Sequence, residues 1–165
     1  MDVLNEYKKL VESDVFLEFE SSSKDFYLVH IYKMLGGSNE SSLEFGFYNQ
    51  ETDRIVVFET NPIRKRAEEE VFKEAETIHP LKLENVKLSL DDALLVAEQF
   101  RKEKYSSEVV YQTIMILQNI DRQVWNITLI TLSFNILNIR IDAQLGVVVD
   151  SSIHSIMSIG NKLQD

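Results

Sequence analysis

The sequence predicts an α+β fold of two tandem helix-plus-antiparallel-sheet units, residues 1–80 and 81–165, each sheet packing a helix on one face. Near the start of each half, apolar residues recur at helical spacing: Val3, Leu4, Tyr7, Leu10 and Val11 in the first, Leu90, Ala93, Leu94, Ala97 and Phe100 in the second. Each helical stretch is followed by short runs rich in aromatic and β-branched residues, broken by Gly, Asn, Asp and Ser. A chain of 165 residues holds one ordinary domain or two very small ones. Units of about 80 residues are marginal alone, so a shared interface or a continuous sheet is expected.

In the first half, residues 2–13 form a helix with Glu6, Lys8, Lys9 and Glu12 turned outward. Residues 15–19 fit either an extension of that helix or a short strand, and the apolar, β-branched composition leans to strand. Strands are predicted over 26–35, 43–48 and 54–59, joined by turns at Gly36-Gly37-Ser38-Asn39-Glu40-Ser41 and Asn49-Gln50-Glu51-Thr52-Asp53, which makes a meander. Asn61-Pro62 suits a helix start, with Asn as cap and Pro at the first position. A charged helix over 63–77 is expected to follow, with a narrow apolar stripe of Ala67, Val71, Phe72 and Ala75, bridging the two units before an extended connector at 82–87.

Ser89, with Asp92 three residues on, resembles a capping box at the head of a helix over 90–104. Arg101, Lys102 and Lys104 gather at its C-terminal end, where the helix dipole favours cations. Four strands are predicted next, over 109–117, 123–131, 134–142 and 147–150, with turns at 119–122 and 143–146. Residues 152–159 read as a short terminal helix or a frayed tail.

The passages 43–59 and 137–150 resemble each other: an alternating strand reaches Asn49 or Asp142, turns, and returns through a β-branched run to an acid. With a helix upstream of each, this points to duplication. The second half also resembles a PepSY domain, the small module of thermolysin-like peptidase propeptides and spore-germination proteins. The residues that carry the likeness are the Ala-containing helix Leu90-Asp91-Asp92-Ala93-Leu94-Leu95-Val96-Ala97, the Trp-led strand Val124-Trp125-Asn126-Ile127, and the hairpin Asp142-Ala143-Gln144-Leu145-Gly146-Val147-Val148. The match spans about 82–151. The first half, without the Trp and the Asp-Ala turn, fits a diverged copy. The resemblance implies the fold and, more remotely, an inhibitory or regulatory role towards a partner protein. Family members usually sit outside the membrane beside a peptidase, whereas this sequence shows no export signal and no attached enzyme.

Composition narrows the function. The chain has no cysteine, which removes disulfide and thiolate chemistry. Met1 to Leu10 lacks the basic start and continuous apolar core of a secretory signal, and no apolar stretch is long and uninterrupted enough to span a bilayer as a helix. A cytoplasmic address without membrane association is therefore expected. Net charge is −10, with 17 acids against 9 bases in residues 1–80. The basic runs Lys8-Lys9 and Arg64-Lys65-Arg66 are each followed by acids, so nucleic-acid binding is disfavoured. The acidity serves solubility. The sequons at Asn39 and Asn126 read as chance occurrences.

No catalytic, cofactor-binding or metal residue is assigned. His30, His79 and His154 lie far apart without neighbouring donors, so a metal role is not expected, and His30 reads as a sheet residue. Gly36-Gly37 lacks the context of a phosphate cradle. Glu68-Glu69-Glu70, Glu74 and Glu76 could pair as carboxylates, but a solvated charged face accounts for them. Asp142 reads as a turn residue accepting backbone N–H bonds, and Trp125 as core filling. Tyr27, Tyr32, Tyr48 and Tyr111 either pack the sheet or line a groove.

The function expected from the sequence is a non-enzymatic protein-interaction or regulatory module of unknown partner, with a homodimer through a sheet edge as one arrangement and no cofactor. The alternative is a small-molecule binding domain with a pocket between sheet and helix. An open edge strand or exposed apolar patch would favour the first, and an apolar cavity of a few hundred cubic ångströms the second.

Overall fold

The computed structural model describes residues 1–38, 41–71 and 77–161, the last three by backbone alone. Its strands are β1 (Phe26–Gly36), β2 (Glu44–Asn49), β3 (Arg54–Glu59), β4 (Arg64–Lys65), β5 (Glu69–Glu70), β6 (Val110–Asn119), β7 (Gln123–Thr131), β8 (Asn135–Asp142) and β9 (Val148–Ser155). They form one nine-stranded antiparallel sheet in the order β4-β3-β2-β1-β6-β7-β8-β9, with β5 also on β3. The fold is α+β. The first strand of each half lies at the sheet centre, where β1 pairs with β6 from His30 opposite Gln118 to Gly36 opposite Gln112. From that seam each half runs outward as a meander, so one continuous sheet spans both halves.

Helices α1 (Val3–Val11), α2 (Asp14–Ser22) and α3 (Leu90–Lys104) cover one face of this sheet, and α4 (Ile156–Asn161) follows β9. Local chemistry sets each start. The Asp2 carboxylate accepts from Leu4 and Asn5, and the Ser13 hydroxyl accepts from Phe16. The Ser89 hydroxyl accepts from the Asp92 amide at 3.1 Å, the N-cap half of the expected box, and donates to the Asp92 carboxylate at 2.7 Å, so that carboxylate holds the Ser89 hydroxyl and not its backbone N–H.

Two expected elements differ. Residues 15–19 belong to α2: Phe16 and Phe19, three apart, are both buried while Val15 and Leu17 face solvent. A strand would have sent Phe16 and Phe19 to opposite faces. Their rings instead meet Phe47 and Phe58 at centroid distances of 5.1–6.4 Å. The helix expected over 63–77 is replaced where described: Asn61, at φ 58°, and Pro62, joined by a cis peptide bond, turn the chain back, and β4 and β5 pair with β3. A helix with so narrow an apolar stripe has little to bury, while the β3 edge offers main-chain partners. Residues 72–76, with Glu74 and Glu76, lie outside the described residues, as do Asn39 and Glu40.

The C-terminal tail also differs. β9 continues to Ser155, opposite Asn135, before α4 begins. The connector at 82–87 carries a short 3-10 turn, Leu83–Asn85.

The core is one cluster drawn from both halves, with Leu10, Phe45, Phe58, Leu117, Trp125, Ile127, Leu137 and Ile139 almost fully buried between sheet and helices. Burying each such side chain contributes roughly 1.5–3 kcal/mol. The second face of the sheet is mixed. Tyr32, Ile116, Asn126 and Arg140 form one cross-strand row there, partly open to solvent. At one end of this face Tyr48 is fully buried, its ring edge-on to Tyr27, whose hydroxyl donates to the Ile78 carbonyl at 2.8 Å.

Candidate functional site

The two ends of the sheet are unlike. At one end β4 and β5 are two-residue strands of charged, exposed residues, Arg64, Lys65, Glu69 and Glu70, which blunts that edge against further pairing. At the other end β9 is eight residues long, and among the described residues it pairs only with β8.

The turn that launches β9 is built by Asp142. Its Oδ1 accepts from the amides of Gln144 and Leu145, each at 2.9 Å, and Gly146 closes the turn at φ 70°. Those bonds, Leu145 first and with Arg122 adding to them, hold the Asp142 carboxyl below its usual range against the opposing effect of burial. The same device forms the β2–β3 turn. Asn49 Oδ1 accepts from Glu51 and Thr52 at 2.9 and 3.1 Å, and the residue four on, Asp53, has φ 53°.

Which main-chain groups of β9 stay free follows from the ladder. Ile156 N–H donates to Phe134 at 2.8 Å and Ala143 N–H to Gln123 at 2.9 Å. Alternation in antiparallel pairs then directs the N–H and C=O groups of Asp150, Ser152 and His154 to β8. Those of Ser151 and Ile153 point out from the sheet edge. Apolar side chains flank the strand at both ends. Leu132 and Phe134 are 61% and 62% exposed beside Ile156 and Met157, the latter 72% exposed, and Leu145, Val147 and Val149 are exposed at the start. The turn carrying Leu132 and Phe134 is pinned by Glu108, whose carboxylate accepts from Ser133 and from Asn135. Hydrogen bonds from Ser133, Thr131 and Asn135 hold it below the usual carboxylate range.

A second candidate lies on the helix face. A pocket of about 350 Å³ sits between the N-terminal ends of α1 and α3, floored by Leu117 and Trp125 and walled by Val3, Leu83, Val86 and Leu90. Its polar rim is already engaged: the Met1 amino group pairs with Asp91, and the Trp125 indole N–H donates to the Leu88 carbonyl at 3.0 Å. The Ala143 carbonyl accepts from both Lys87 and Leu88, each at 2.9 Å, so the β8–β9 turn also clamps the segment leading into α3.

On the second face the His30 ring lies over Gly46, where a Cβ would fall 2.1 Å from His30 Cε1. Burial lowers the His30 pKa from 6.5 to about 4. Nearby, Asn126 Oδ1 and Arg140 Nε are buried without hydrogen-bond partners.

These placements sort the residues singled out from sequence. Asp142 and Trp125 serve turn and core. His79 is exposed and lines, together with His30, an open cavity of about 760 Å³ on the second face, while His154 lies on the exposed β9 edge. Among the described residues no group of three His, Asp or Glu is placed to hold a metal ion. The Glu68–Glu70 carboxylates are exposed, with Glu70 3.6 Å from Arg54. Of the four tyrosines Tyr27 and Tyr48 meet edge-on, with Tyr48 fully buried, while Tyr111 is half exposed on β6. Sequence reasoning missed the length of β9. The signal available was Ile153, set between the polar residues Ser152 and His154 after a β-branched run.

No protein-family model matches the chain, and no curated protein matches it. Among solved structures it is similar to a crystal structure from Clostridium difficile 630 described as a "putative lipoprotein", with a TM-score of 0.55 and 14% identity. The similarity covers 88% of this chain and 98% of that one. At this identity the likeness is one of fold alone. No helix among the described residues is long and apolar enough to cross a membrane.

Proposed function

We propose that the chain is a non-enzymatic interaction module that docks a partner protein along the open edge of β9. The observation that carries this reading is the contrast between the two sheet ends. One is short and charged, while the other presents a long strand with outward main-chain groups and exposed apolar residues at both ends. An unprotected edge of this kind is a template for strand addition, in which main-chain hydrogen bonds supply affinity and flanking pockets supply selectivity. The PepSY-like reading of residues 82–151 agrees with a regulatory role. In this reading the Asp142–Gly146 turn and Trp125 are structural supports that hold β9 and α3 in place.

The test is to block the edge without unfolding the sheet. Ser151→Pro removes an outward N–H and leaves the β8 ladder intact, a position where an edge strand tolerates proline. Affinity capture with wild type and with Ser151→Pro, at matched thermal stability, should lose the specific partner in the variant. Equal capture by both overturns the edge as the docking element.

A second reading, a small-molecule site, rests on the 350 Å³ pocket above Trp125. Its volume lies in the range of small-ligand pockets. A ligand there would quench or shift the emission of Trp125, the single tryptophan in the chain, and saturable change with apolar probes would support that reading.

A further inference from the structure

We infer that the β9 edge is occupied by a second copy of this chain, paired antiparallel about a two-fold axis through Ser152. The inference rests on the docking reading above and names its partner. The geometry of the strand restricts how two copies can pair. In a continuous sheet, directly opposed residues share a face, so a symmetric antiparallel pair must be centred on a residue. On β9, Asp150, Ser152 and His154 lie on the second face, opposite Arg140, Asn138 and Ile136, while Ser151 and Ile153 lie on the helix face, opposite Ile139 and Leu137.

Centring on Ser152 sets Asp150 opposite the partner's His154, twice by symmetry. It also sets Ser151 opposite the partner's Ile153, and these are the residues whose main-chain groups point outward. Each such pair exchanges both of its hydrogen bonds. Asp150 and His154 then form non-hydrogen-bonded pairs, where side chains approach most closely, and the imidazole can donate to the carboxylate. Arg140, 3.4 Å from Asp150 on the same chain, extends the cluster.

The competing centres do worse. A centre at Ser151 places Asp150 opposite the partner's Ser152 and moves His154 away from the partner's Asp150. A centre at Ile153 places the Asp150 carboxylate against the partner's Ile156.

The Ser152 centre also brings the exposed apolar ends together. The two-fold places the Ile156–Met157 end of each copy beside the Val147–Val149 end of the partner's β9. Val147 and Met157 are 50% and 72% exposed in the single chain, so the pairing brings open apolar surface of the two copies together. The two apolar clusters lie at opposite ends of β9, and an antiparallel copy is the arrangement that joins them.

The chain contains no cysteine, so an introduced thiol has no competitor. Under mild oxidation Ser152→Cys should give a covalent dimer at least about tenfold faster than Ser155→Cys, because pairing raises the effective concentration of the self-opposed thiol. Asp150→Cys mixed with His154→Cys should form the hetero-disulfide in preference to either homodimer. Wild type should sediment as a dimer at about 100 µM, and Ser151→Pro as a monomer. Equal cross-linking of Ser152→Cys and Ser155→Cys overturns the register. A wild-type monomer at that concentration, with no Ser152→Cys cross-link, overturns the second-copy assignment. If Ser151→Pro still abolishes capture of another protein in that case, the docking reading survives. If it changes nothing, both fall.

Discussion

Trp125 donates its indole N–H to the backbone carbonyl of Leu88 across 3.0 Å, tying the first part of β7 to the segment that leads into α3. Trp125 is 1% exposed and its ring also floors the helix-face pocket. The bond fixes where α3 starts, and the Ala143 carbonyl holds the same segment from the other side through Lys87 and Leu88.

Trp125→Phe removes that donor and part of the ring volume. The Leu88 carbonyl loses its indole partner and a small cavity opens, so stability should fall by about 2–4 kcal/mol. Urea unfolding should show a lower midpoint at unchanged slope. An unchanged midpoint would mean that the bond and the packing contribute nothing.

Asp142 and Asn49 hold their turns by the same pair of backbone bonds, so they should respond alike. Asp142→Ala and Asn49→Ala should each cost about 1–3 kcal/mol, while Asp142→Asn keeps the acceptor and should cost less. Denaturant melts of the three variants give the comparison.

His30 makes stability depend on pH in a defined direction. Its folded pKa, about 4, lies below the ordinary 6.5, so the folded state favours the neutral ring and the unfolded state takes up the proton first. The stabilising contribution is complete above about pH 6.5, falls as pH drops towards 4, and is flat below that. Its size is at most about 3 kcal/mol, an upper bound because part of the side chain reaches solvent. Ring-proton NMR titration should place His30 near 4, and His30→Gln should flatten that part of the stability profile.

Gly46 is required by the same ring. With the His30 Cε1 position 2.1 Å from where a Cβ would sit, Gly46→Ala should destabilise by about 1–3 kcal/mol. Adding His30→Ala should recover part of that loss, a coupling that a double-mutant cycle reads directly.

Much of the fold was legible because local and global signals agreed. Ser89, the apolar stripe from Leu90 to Phe100 and the basic last turn all point to α3, and the alternating runs point to the central strands. The failures came where a short pattern fitted two answers. Residues 15–19 satisfied strand composition, and only the packing of Phe16 and Phe19 on the Phe47–Phe58 rings decides for helix. Residues 63–71 carried helix-favouring charges, but pairing with β3 prevailed. The two hairpins compared from sequence share a turn geometry at Asn49 and Asp142, yet they occupy different places. One joins the second and third strands of its half, and the other joins the third and fourth. The candidate docking edge was the least legible part. An edge is a property of strand order, and nothing in the residues 148–155 themselves records which neighbour is missing.

Hydrogen exchange at the amides of Ser151 and Ile153 tests the occupied edge most directly. Ser152 and His154 bond to β8 and should be protected at every concentration. The account predicts that Ser151 and Ile153 exchange quickly in dilute protein and become protected as concentration rises from about 1 to 100 µM. Fast exchange at both residues throughout that range would contradict it.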